Sequence, residues 1–228
     1  MSVTDILLMI LFCGIFCGLS GWYLKVRKPY IPEEERDSSV PSDTISSEGK
    51  WFWIIPSMLF VVSCGLFCFG MLRVNLRFYE ALRNAFMCVW IGTIGFIDAK
   101  EKIIPNEMIL IGIGSWILLT IYEIFYIGYA WKSCLMFGLV GAGVCGGGML
   151  LIALIVKSAL GMGDVKLFTV LGLIYGLSIT YSILLFTIII MAIISIILLI
   201  AKKVTRKTAI PVGPFTIIGF LLCLLAGA

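Results

Sequence analysis

The sequence predicts an all-α fold: a polytopic membrane bundle of about eight transmembrane helices, with helix breaks at Pro105 and at Gly161-Gly163. Three observations support this. Hydrophobic residues make up 61% of the 228-residue chain and its mean hydropathy is +1.12, whereas water-soluble domains lie closer to half apolar and carry about twice the charge. The apolar residues fall in successive runs near the ~20 residues that cross a bilayer as a helix. The polar residues left within this pattern gather beside Pro and Gly. Non-helical backbone at membrane depth is tolerated only where it is buried in protein or lines a wet cavity.

The first run, Ile6 to Leu24, lacks a basic leader and a small-residue cleavage site. Its charges follow it, in Lys25, Arg27 and Lys28, so it reads as a retained span that starts outside. Lys25 to Lys50 is a polar linker rich in Ser, Pro and Glu, a composition that cannot bury a core. Further spans are expected over Trp51–Leu72, Ala81–Ile97, Met108–Ala130, Cys134–Val156, Val165–Tyr175, Ile179–Ala201 and Ile210–Leu225. These runs consume the chain, leaving residues 1–228 as one integral-membrane domain with residues 25–50 as its cytoplasmic linker.

Basic residues orient the bundle. With the N-terminus outside, Arg73, Arg77, Arg83 and Lys132 fall on the outer side and the other thirteen of the 17 Lys and Arg fall inside. That split is the one the positive-inside rule favours. It brings Asp98 and Asp164 to the same, cytoplasmic, face of a cell membrane.

Absences narrow the chemistry. The net charge is only +4 and no basic stripe carries interleaved aromatics, so nucleic acid is not an expected partner. The chain has no histidine, which removes Ser-His-Asp and Cys-His arrangements and His-based zinc sites. Its eight cysteines include no Cys-x-x-Cys; Cys13/Cys17 and Cys64/Cys68 are i,i+4 pairs within apolar runs and read as small hydrophobic filler. The glycine-rich stretch Gly138 to Gly148 reads as a close helix-packing face, which could also help hold the Gly161–Asp164 turn.

The two aspartates stand out against this background, because a carboxylate at membrane depth costs several kcal/mol (order of magnitude) unless solvated, paired or protonated. Pro105 disfavours helix at Ile104, so the helix is expected to stop just after Asp98 and restart at Asn106, a favourable N-cap. Gly161 and Gly163 permit backbone angles closed to other residues and allow close approach. Asp164 then begins a new helix, whose dipole favours its ionised form. Two carboxylates brought together cannot both ionise readily; one keeps a proton while the other acts as base. That division suits activation of water and protonation of a leaving amine. Helix position alone makes Asp164 the more easily ionised and Asp98 the proton carrier, although coupled titration softens that division.

Asp98 with Ile104-Pro105-Asn106, then Gly161-Met162-Gly163-Asp164-Val165-Lys166, then Ile210-Pro211-Val212-Gly213-Pro214-Phe215, resembles the bacterial type IV prepilin peptidases, membrane aspartic proteases of the Gly-x-Gly-Asp class. The resemblance runs from about Asp98 to the C-terminus, with a fainter echo in Gly14, Gly18 and Arg27-Lys28-Pro29. It implies a catalytic pair, Asp98 and Asp164. Around it Ile104, Pro105, Asn106, Gly161, Gly163, Lys166, Pro211, Gly213 and Pro214 would shape the site or bind substrate. The implied substrates are prepilin or pseudopilin precursors, cut at the cytoplasmic face after a glycine that separates a short basic leader from an apolar helix. No metal or cofactor is implied for proteolysis. Members of the family often also methylate the new N-terminus with S-adenosylmethionine, and many carry a zinc-binding domain with paired Cys-x-x-Cys motifs between the first two spans. Here Lys25 to Lys50 stands at that position without cysteine, which leaves the methylation open. The acidic run Glu33-Glu34-Glu35 reads as a solvated tether.

Other readings compete. A Ser/Lys peptidase would use Lys157-Ser158, but adjacent helical residues do not face each other. A proton- or cation-coupled transporter would use Asp98, Asp164 and Glu123 as a relay, which requires acids spread through the bilayer. A scaffold subunit without chemistry would tolerate Asp→Asn changes.

Overall fold

A computed structural model describes residues 3–26, 51–73, 77–128, 130–155, 161–201 and 210–226. These are helical apart from short junctions, without strands: α1 (Val3–Val26), α2 (Trp51–Arg73), α3 (Phe78–Glu101), α4 (Asn106–Tyr122), α5 (Trp131–Gly141), α6 (Gly147–Ile155), α7 (Met162–Ile200) and α8 (Gly213–Leu225). Single π-helical turns extend α4 over Glu123–Ile127 and join α5 to α6 over Ala142–Gly146. Most of the linker expected over Lys25–Lys50, with Arg27-Lys28-Pro29 and Glu33-Glu34-Glu35, lies outside the described residues, as does Lys157-Ser158.

The chain divides into two compact units, Met1–Thr93 and Ile94–Ala228. In the first, α1 packs along α2. Cys13, Phe67, Ala81 and Ala85 form its core, with Phe60, Cys64, Cys68, Phe78 and Leu82 against them. Phe67 and Phe78 meet edge to face at 5.5 Å. Ser20 and Thr93 share a buried hydroxyl hydrogen bond of 2.7 Å, which satisfies both polar groups inside an apolar setting. At the start of α3, Glu80 accepts from the Arg77 N–H, the acid half of a capping box. None of the eight cysteines forms a disulfide, and those of this core behave as small apolar filler.

In the second unit, α7 is the element that the others pack against. Three of its helices are long and apolar enough to cross a membrane: Asn106–Phe125, Trp131–Ile155 and Met162–Ile200. Shorter apolar helices are Ile10–Val26, Pro56–Phe69 and Gly213–Leu225. Leu118, Phe125, Ile155 and Ile200 stand exposed on these surfaces, as lipid-facing side chains do. The chain is a membrane protein.

The runs Val165–Tyr175 and Ile179–Ala201, expected separately, are two helical segments that meet at Gly176, whose φ of 69° and ψ of −169° only glycine adopts readily. The first runs along α8 as far as the contact of Tyr175 with Phe220, and the second returns, with Ile179 by Cys223 and Thr187 by Gly219.

The glycine-rich stretch packs as expected, and with a register. Gly138 and Gly141 lie against the α7 backbone at Leu173, Gly172 and Gly176, and Gly146 lies against the Thr169 side chain. Gly143, Gly147 and Gly148 face open space. The five-residue step from Gly141 to Gly146 keeps both on the α7 side because the turn between them is π-helical, closing five residues on rather than four. A β-carbon at Gly141 would sit 2.6 Å from the Gly176 carbonyl carbon. Gly141→Ala is therefore expected to destabilise the protein by about 1–3 kcal/mol through overpacking. Gly143→Ala should stabilise it by about 0.5–1 kcal/mol through helix propensity. Thermal unfolding of the two variants in one detergent checks the opposite signs.

Candidate functional site

The second unit collects both aspartates at the junctions between its helices. α3 continues through Asp98 and ends at Glu101, three residues later than expected. Its end is tied by the Lys102 N–H, which donates to the Asp98 carbonyl at 2.8 Å while Lys102 takes a left-handed φ of 53°. This is the usual way a helix closes its last carbonyls, though glycine usually fills that position. The chain then runs extended to Pro105, whose φ of −65° and ψ of 137° place it at the N-cap of α4. The expected N-cap, Asn106, is instead the first helical residue. Its amide oxygen accepts from Lys166 Nζ at 2.8 Å. The proline ring presets the entry angle, so no side chain caps this helix.

The second break begins at Gly161, the N-cap of α7, with φ −70° and ψ 139°. Neither Gly161 nor Gly163 has a left-handed backbone, so the expectation that they supply unusual angles fails. Their role is close approach. A β-carbon on Gly161 would lie 3.0 Å from Asp164 Oδ2, and one on Gly163 would lie 3.0 Å from the Ile104 β-carbon. Asp164 sits in the first turn of α7 and its carboxylate reaches back to accept from the Gly161 N–H.

The Asp98 carboxylate is held by a third element. Oδ2 accepts from the Gly213 N–H at 2.8 Å, and the Val212 N–H donates to the same carboxylate. These are the N-cap and first residues of α8, where helices leave their amide donors without intrahelical partners. Pro214 has no N–H, and the Phe215 N–H turns back to the Val212 carbonyl at 3.0 Å. Asp98 therefore takes up the remaining donors of this terminus. The approach depends on two glycines: a β-carbon on Gly213 would lie 2.9 Å from the Asp98 β-carbon, and one on Gly95 would lie 2.9 Å from the Gly213 carbonyl oxygen. Gly95, one turn before Asp98 on the same helix face, was not singled out from the sequence. Its only sequence signal is that i,i+3 spacing.

Asp98 is 5% and Asp164 8% exposed, and the two are within electrostatic reach of one another. Gly161 lies against Asp164 and Gly213 against Asp98, Gly163 meets Ile104, and buried Pro105 opens α4; Pro211 and Pro214 are half-buried at the start of α8. Lys166 and Asn106 are exposed and contact each other. Both carboxylates stand at helix N-termini, Asp164 in α7 and Asp98 across from α8. The helix-position argument that separated their protonation roles thus applies to both and separates neither. Glu123, the third acid of a membrane relay, sits at the far end of α4, about 25 Å along the helix axis from Asn106.

Two buried carboxylates from distant segments, each bonded to backbone amides, are equipped for proton transfer in both directions. The model of the type IV leader peptidase family matches residues 85–196, a segment that contains both aspartates. Over residues 85–196 the chain is similar to that family. The match ends before α8, so the amide donors to Asp98 lie beyond the matched segment. No match was found among curated proteins or solved structures. The match supports a leader peptidase-type protein, and the long apolar helices a membrane one.

The Asp98–α8 contact has a separable energetic signature. Gly213→Ala is expected to lower thermal stability, and less so in an Asp98→Ala background, where the obstructing side chain is gone. A double-mutant cycle on unfolding should return a coupling of about 0.5–3 kcal/mol.

Proposed function

We propose that the protein is an aspartic endopeptidase that removes the short basic leader of prepilin-like or pseudopilin precursors, with Asp98 and Asp164 as its catalytic pair. The observation that carries this reading is the burial of two carboxylates within electrostatic reach of one another, inside the segment of the leader peptidase match. Like charges that close, in a setting of low dielectric, favour a state with one proton between them. The ionised partner takes a proton from water as its oxygen attacks the scissile carbonyl carbon, and the protonated partner gives its proton to the carbonyl oxygen. Collapse of the tetrahedral intermediate breaks the C–N bond. The proton gained from water passes to the departing amine, and the carbonyl oxygen returns its own. The pair ends as it began, and backbone amides hold both carboxylates throughout.

In this reading the chain lies in the cell membrane with about eight spans and its N-terminus outside, as the distribution of Lys and Arg favours. The pair then faces the cytoplasm, where a basic leader would remain while the apolar helix of the substrate stays in the bilayer. The position of Glu123 at the other end of α4 weighs against the relay of a transporter, since the aspartates keep to one end and no acid on α4 bridges the interval. A donor set of two carboxylates and backbone amides suits proton transfer, and the proposed reaction is the cleavage itself.

The purified protein in lipid vesicles is expected to cleave a leader-bearing peptide, with a chelator present or absent. Asp98→Asn and Asp164→Asn should each lower turnover by at least about 10³-fold while circular dichroism stays helical. Wild-type turnover in either variant, read by mass spectrometry of the products, would rule the proposal out.

A further inference from the structure

We propose that Lys166 is a positioning residue for this site, tying the first turn of α7 to the start of α4 through Asn106 and so setting the direction in which Asp164 points. The inference rests on the peptidase reading. Lys166 Nζ donates to Asn106 Oδ1 at 2.8 Å across 60 residues of sequence. Gly163, three residues before Lys166, meets Ile104, two residues before Asn106. Residues three apart share a helix face, so one face of this turn is gripped at two heights by the segment leading from Asp98 into α4.

Asp164 is not on that face. It lies about 100° round the helix from Gly163 and about 200° from Lys166, at 3.6 residues per turn. Neither contact touches the carboxylate, yet both resist rotation of the turn that carries it. The N-cap and second residue of that turn are glycines, and its one local side-chain bond is the Asp164 carboxylate to the Gly161 N–H. The connection from α3 is equally spare, being extended backbone between Lys102 and Asn106. Buried Ile104 anchors it on the inner side and the Lys166–Asn106 bond anchors it at the exposed edge.

The test uses full-length protein in vesicles of fixed lipid composition with a leader-bearing peptide. Lys166→Met and Asn106→Ala are each expected to lower kcat by about tenfold to a hundredfold, the scale of a misplaced reacting group. KM should stay within about threefold, because ground-state binding is not what is lost. The double variant should be no worse than the poorer single one, and Lys166→Arg should recover most of the rate. Apparent melting temperatures of the same proteins should also combine non-additively, which reads the contact without reference to catalysis. Multiplying losses in the double variant would overturn the proposal. So would a rise in KM at constant kcat, which would make Lys166 a substrate ligand. A wild type that cuts normally beside variants of unchanged kcat defeats the positioning role alone. A wild type that cuts no leader peptide defeats the peptidase reading and this role with it.

Discussion

Burying a carboxylate away from water is costly unless donors replace the lost solvent, and this protein does it twice in one place. The donors at hand within an apolar bundle are the amides that helices leave unbonded at their N-termini. The described architecture of the second unit follows from bringing two such termini to two aspartates. α7 begins beside Asp164, α8 begins against Asp98, and the extended segment between α3 and α4 lets α3 end where its aspartate can reach across. Glycine is required wherever backbone must come within bonding distance of a carboxylate, as at Gly213, Gly95 and Gly161.

The same logic explains why the polar sequence features cluster while the rest of the chain is almost featureless. Long apolar helices satisfy their own backbone and need only small residues to approach one another, as Gly138 and Gly141 do against Leu173 and Gly172. Against α8, Tyr175 and Phe220 meet at 5.8 Å with their rings tilted by 54°, and Gly219 admits Thr187, whose hydroxyl returns to the Ile183 carbonyl at 2.7 Å. These contacts fix how α8 lies along α7, and hence where its amide donors point.

What could be read from the sequence was whatever local covalent rules dictate. Pro105 announces a break because its ring excludes helix before it, and Gly161-Met162-Gly163-Asp164 announces a helix start with an acid in its first turn. The membrane setting follows from composition alone. Other features were not readable, for particular reasons. The bond from Gly213 to Asp98 spans 115 residues, and spacing says nothing about which helix end meets which. Asn106 looked like a cap because its side chain often serves as one, but Pro105 already occupied that position and freed the amide for Lys166. The break at Gly176 was readable as the pause between two apolar runs, but only the contacts with α8 give the direction of the segment that follows it. Gly95 was one small residue among many, and only its neighbour across the interface gives it meaning.

Asp98 has a double identity that follows from Pro214. With that amide missing and Phe215 bonded locally, the opening of α8 depends on a single side chain from another helix. In the proposed reaction that side chain also gives or receives a proton in every cycle. The charge sitting against α8 therefore changes as bonds break in the substrate, so the tightness of a helix junction and the progress of hydrolysis rise and fall together. A peptidase built in this way carries a record of its chemical state in its own scaffold, and α8 is where that record is written.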